Sequence, residues 1–108
     1  MRIAVIGSRT MATAFRLGGV ADVTEVQDGG PVDGELARGR FRELIGNAEV
    51  GMIVISEPVA GAIRKDIDRF QDQKRMLPLL LELPDEGGGM EDRMALVIRR
   101  AVGIDVTR

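Results

Sequence analysis

The 108-residue chain contains no Cys, no His, no Trp and no Tyr, and each absence removes a class of chemistry. Without thiol or imidazole it cannot build a thiolate or imidazole metal site, a Ser-His-Asp or Cys-His nucleophile pair, or a disulfide framework. Its only aromatics are Phe15, Phe41 and Phe70, which leaves almost nothing on which nucleobases could stack. Charge of one sign is also missing. Lys and Arg number 15 against 17 Asp and Glu, a formal net charge of -2, so nucleic-acid binding would need a basic patch acting against the overall field. No apolar run approaches the roughly 20 residues of a membrane span, and the opening segment Ile3 to Ile6 is too short for a signal peptide. A soluble cytoplasmic protein is expected, with no metal, no cofactor, no nucleic-acid partner and no insertion into the membrane.

What is present is a foldable single domain. Apolar residues make up 44% of the chain, and a chain of this length buries about two-thirds of the surface its unfolded form exposes. That supports one core but no extra lobe around a deep cavity.

Ile3 to Ile6, ending at Gly7, reads as a strand buried on both faces. Met11, Ala14, Phe15 and Gly18 fall at helical spacing, with Ser8 or Thr10 to cap the start and Gly18-Gly19 to end it. Val20, Val23 and Val26 predict an edge strand, followed by a Gly/Pro loop from Gln27 to Pro31. Leu36, Phe41, Leu44, Ile45 and Ala48 predict a helical face from about Glu35 to Ala48, despite Gly39. Gly51 to Ile55 is apolar throughout and predicts a central strand. Ser56-Glu57-Pro58 starts a helix, Pro being tolerated in a first turn, and Val59, Ala62, Ile63, Ile67 and Phe70 form its apolar stripe. Arg64, Lys65, Asp66, Asp68, Arg69 and Asp72 are assigned to its solvated surface. Leu79 to Leu83, bracketed by Pro78 and Pro84, is a fourth strand.

Beyond Asp85 and Glu86, Gly87, Gly88 and Gly89 form a polar, flexible joint. Met90, Met94, Val97 and Ala101 then recur at helical spacing, widened by Ile98 and Val102, while Arg99 and Arg100 sit in the last turn where they complement the helix dipole. The expected organisation is an α/β domain over 1–84, a glycine hinge over 85–89, and a helix with its tail over 90–108.

Alternating strands and helices imply a parallel sheet with right-handed crossovers, of order 2-1-3-4, flavodoxin-like or receiver-like. Ligands of such sheets gather where strand order reverses, here at Ser8, Arg9, Thr10, Ser56 and Glu57. Gly7-Ser8-Arg9-Thr10 lacks the second and third glycines of a dinucleotide fingerprint, and no GxxxxGK[ST] occurs. They also lack the acidic cluster and the acceptor Asp that receiver phosphorylation needs. A small phosphorylated ligand held by Arg9 and the first helix is an alternative function, and Glu57 with Glu82 or Asp85 is a candidate acid–base pair.

Five segments, in this order and spacing, resemble the F subunit of the A-type and V-type rotary ATPases: Ile3 to Gly7, Phe15 to Val20, Gly51 to Glu57, Pro78 to Pro84, and Arg99 to Asp105. An acidic residue often follows the first glycine in that family, and Ser8 stands there in this chain. The resemblance covers nearly the whole sequence. It implies a non-catalytic rotor component that binds the coiled-coil D subunit of the central stalk and whose C-terminal helix influences ATP turnover in the catalytic head. Met90, Met94, Val97, Ile98, Arg99, Arg100 and Ala101 would then face the partner, with Gly87, Gly88 and Gly89 as the hinge, and the protein would be peripheral to the membrane.

Overall fold

A computed structural model describes residues 1–84. The expected hinge at 85–89 and the helix with its seam at 90–108 lie outside the described residues. The elements are β1 (Arg2–Ser8), α1 (Arg9–Leu17), β2 (Asp22–Gln27), α2 (Gly34–Ile45), β3 (Val50–Ser56), α3 (Glu57–Ala62), α4 (Arg64–Asp72) and β4 (Leu79–Leu83). The four strands are all parallel and ordered β2-β1-β3-β4, as the alternation of apolar runs and helical stripes requires.

Side chains alternate across the sheet with period two, and this divides the core. Ala4, Ile6, Ile53 and Ile55 point to one face, where they meet Phe41 and Leu44 of α2, Val59 and Ala60 of α3, and Ile67 and Phe70 of α4. Val5 and Val54 point to the other, against Met11, Ala14 and Phe15 of α1. Burying one such aliphatic or aromatic side chain contributes about 1.5–3 kcal/mol, so the central β1–β3 pair, aligned with Ile6 opposite Ile55, holds the fold. Phe41 and Phe70 meet edge to face with centroids 5.9 Å apart, joining α2 to α4.

Three expectations are corrected. The helix predicted from Ser56 onward is two helices, because Ile63 leaves helical geometry at φ -119° and ψ 29°. Its N–H is shared between the carbonyls of Val59 and Ala60, both at 3.2 Å, a tightening usual where a helix ends. The turn drives the Ile63 side chain into the core and leaves Ala62 exposed. The α2 helix stops at Ile45, where Gly46 caps it, so Ala48 falls outside it. Its buried face is Ala37, Phe41 and Leu44, while Leu36 is exposed. Val20 precedes β2 and packs under α1, its N–H donating to the Phe15 carbonyl at 3.0 Å.

Candidate functional site

The switch point lies between the carboxyl ends of β1 and β3, and the structure brings Ser8 and Ser56 there as predicted. Both hydroxyls are already engaged. Ser8 Oγ accepts the Met11 N–H at 3.2 Å and Ser56 Oγ accepts the Val59 N–H at 3.4 Å, which makes them the N-caps of α1 and α3. Each satisfies one of the donors a helix start leaves open. Gly7 lets α1 approach β1 closely, because a Cβ there would lie 2.6 Å from Met11 Sδ. Arg9 turns to Asp28 on the neighbouring loop at 3.5 Å, both exposed. Thr10 is half-buried in the first turn of α1, and Glu57 is exposed in that of α3. The serines therefore cap helices, and Arg9, the first residue of α1, pairs at the surface with Asp28 of the loop after β2.

Glu82, a candidate acid–base partner of Glu57, instead forms an ion pair. Arg64 of α4 donates two hydrogen bonds, both 2.8 Å, to the Glu82 carboxylate of β4. Those bonds hold the Glu82 carboxyl below its usual range. Asp85 lies outside the described residues.

Asp66, expected on the solvated face of its helix, is only 8% exposed. It stands on α4 between Ile63, Ile67 and Phe70, so the fold places it against α2. Arg38 Nε donates to it at 2.7 Å and Arg42 at 3.3 Å, and Arg69 lies 3.8 Å away. Burial by itself would raise the Asp66 carboxyl, but the hydrogen bonds from Arg38 and Arg42 outweigh it and hold the group below its usual range. The missed signal was legible: positions 63, 66, 67 and 70 share one helical face. On the other flank of α2, Arg40 pairs with Asp22 of β2 at 2.5 Å. Ionic contacts thus clamp α2 on both sides.

A broad depression of about 990 Å³ is open and lies at the opposite, amino end of the strands. Met1, Arg2, Gly19, Asp22, Arg40 and Leu79 contribute to its walls, and its charged groups are tied together, Arg2 and Arg40 both pairing with Asp22. A more telling surface is the sheet face on the α1 side. Leu79 and Leu81 stand beside Met52 and Val54 in register, yet they are 55% and 44% exposed. The α1 helix covers β1 and β2 instead. Apolar side chains left open on a sheet face suit a contact with further polypeptide. No described helix is long and apolar enough to cross a membrane.

The model of the family described as ATP synthase (F/14-kDa) subunit matches residues 3–102. The chain is 35% identical over 109 residues to the F subunit of the A-type ATP synthase of Methanococcus vannielii, spanning 98% of this chain and 99% of that protein. It is 34% identical to the proteins of the same name from Thermococcus kodakarensis and Pyrococcus abyssi, in each case over 110 residues and the full length of both chains.

Proposed function

Because the chain belongs to the ATP synthase (F/14-kDa) subunit family, we propose that it serves as the F subunit of an A-type ATP synthase, a non-catalytic part of the rotor. In this reading it binds the coiled-coil D subunit of the central stalk, and its C-terminal segment modulates ATP turnover in the catalytic head. It sits on the cytoplasmic side, peripheral to the membrane. The observation that carries the reading is the full-length likeness to proteins of that name, which extends through residue 102 and so includes the apolar seam.

The seam of Met90, Met94, Val97, Ile98 and Ala101, with Arg99 and Arg100 beside it, is the proposed contact with the stalk coiled coil. Gly87, Gly88 and Gly89 form the proposed hinge, because glycine adds backbone freedom where a segment must change direction. The switch-point hydroxyls, engaged as helix caps, argue against a ligand-binding regulator. Co-expression of the full chain with the D subunit of the same complex, followed by sizing, tests the reading. A stable complex of the two is expected, and separate elution of both at micromolar concentration would overturn it.

A further inference from the structure

The Asp66 cluster carries more cation than it can neutralise. Arg38, Arg42 and Arg69 converge on a single carboxylate, and among the described residues no other acid forms an ion pair with any of the three. Arg75 adds a fourth guanidinium. It lies 5.5 Å over the Phe70 ring and donates to the Ile45 carbonyl at 2.9 Å, at the carboxyl end of α2. This cationic excess stands on a chain whose formal net charge is -2, so it is local and opposed to the overall field.

Of these residues Arg42, Arg69 and Asp66 border a groove of about 120 Å³ between α2 and α4, whose walls also include Phe41, Ile45, Phe70 and Gln73. Arg42 is held at one end by its hydrogen bond to Asp66, Arg69 lies 3.8 Å from the same carboxylate, and the two remain 61% and 70% exposed, with guanidinium N–H groups to spare. An arginine already positioned loses less freedom when it binds a carboxylate, and its planar fork suits that geometry.

We propose that the α2–α4 groove docks an acidic segment of another polypeptide of the ATP synthase, whose carboxylates bridge Arg42 and Arg69 while an apolar side chain rests against the half-buried Ile45. The docking is separate from the seam at 90–101 and rests only on membership of the ATP synthase family. The chain's overall charge of -2 opposes a polyanionic nucleic acid more than a short acidic segment, and among the described residues the groove has no exposed aromatic ring for base stacking.

The absence of Cys makes a unique label simple. Gln73→Cys, carrying a benzophenone maleimide, is incorporated into the assembled ATP synthase, irradiated, and the cross-linked peptide sequenced. A cross-link to a different polypeptide of the complex, within a segment carrying at least two Asp or Glu in two helical turns, is expected. Its yield should fall at least ten-fold in Arg42→Gln/Arg69→Gln, which leaves the Arg38–Asp66 bond in place; retention of the wild-type melting temperature by that variant checks the fold. Arg16→Gln on α1 should leave the yield unchanged. Cross-links only within this chain, only to segments poor in acid, or with a yield indifferent to Arg42→Gln/Arg69→Gln would overturn the docking. A chain that never joins the complex would count against the stalk reading instead. In that event the isolated full chain is titrated with a fluorescent 14-residue peptide bearing Glu and Leu at i, i+4 spacing. Ten-fold weaker peptide binding in Arg42→Gln/Arg69→Gln would then support the groove, whereas no binding, or tighter binding of a 20-bp DNA duplex, would refute it.

Discussion

Replacing Asp66 by Asn keeps the shape of the side chain and removes the charge that Arg38, Arg42 and Arg69 share. A hydrogen bond to a charged group contributes about 1.5–3 kcal/mol. The Arg38 bond, at 2.7 Å from a 40% exposed side chain, belongs at the lower end of that range, because water screens and re-solvates a guanidinium that is half open. The Arg42 contact is longer, at 3.3 Å, and more exposed, so it adds a few tenths. The expected loss is about 2 kcal/mol, which for a chain of this size lowers the melting temperature by about 8–16 °C. Urea unfolding at pH 7 measures it. The pH dependence supplies a sharper check. The folded-state carboxyl titrates below its ordinary value of 3.8, so the native state binds fewer protons than the unfolded state across that window. Its contribution is therefore fully present above the unfolded value and is lost as pH falls through the folded one. The gap between wild type and Asp66→Asn should be constant from pH 7 to about 5 and shrink below the ordinary carboxylate range. A gap under about 0.5 kcal/mol at pH 7, the level of an ordinary surface change, would refute the clamp, and so would a gap unchanged by acid.

Four further outcomes are expected. Met94→Asp should weaken binding of the stalk D subunit about ten- to a hundred-fold, since one buried side chain contributes about 1.5–3 kcal/mol; titration calorimetry against Arg93→Asp, which alters charge off the seam, distinguishes contact from electrostatics. Gly7→Ala should destabilise the chain by about 1–3 kcal/mol, because the new methyl meets Met11. Gly51→Ala should be nearly neutral, because the side chain it meets belongs to the exposed Met1 and can swing away; parallel thermal melts compare the two. The isolated chain should bind ATP no more tightly than about 0.1 mM, or about -5.5 kcal/mol, and equilibrium dialysis with labelled ATP would show any tighter site.

Much of the architecture was legible in the sequence because it follows from local periodicity. Uninterrupted apolar runs such as Met52 to Ile55 can be satisfied only by burial on both faces, and runs alternating with helical stripes leave a parallel sheet as the compact solution. The order β2-β1-β3-β4 and the placement of Ser8 and Ser56 at the strand ends followed from that. The lack of Cys and His likewise excludes whole classes of catalyst on composition alone. What required the tertiary structure was the choice of partner for each polar group. Sequence spacing placed Asp66 on α4, but only the packing of α4 against α2 brought Arg38 and Arg42, 28 and 24 residues away, to its carboxylate. Arg64 found Glu82 in the same way, across 18 residues, and so removed an acid that the strand ends had offered for catalysis. The break at Ile63 is likewise absent from the apolar pattern, since the periodicity of Val59, Ile63, Ile67 and Phe70 suits one continuous helix. Ion pairs and helix breaks depend on which surfaces meet, and a one-dimensional pattern records each residue's own preference without recording what will face it.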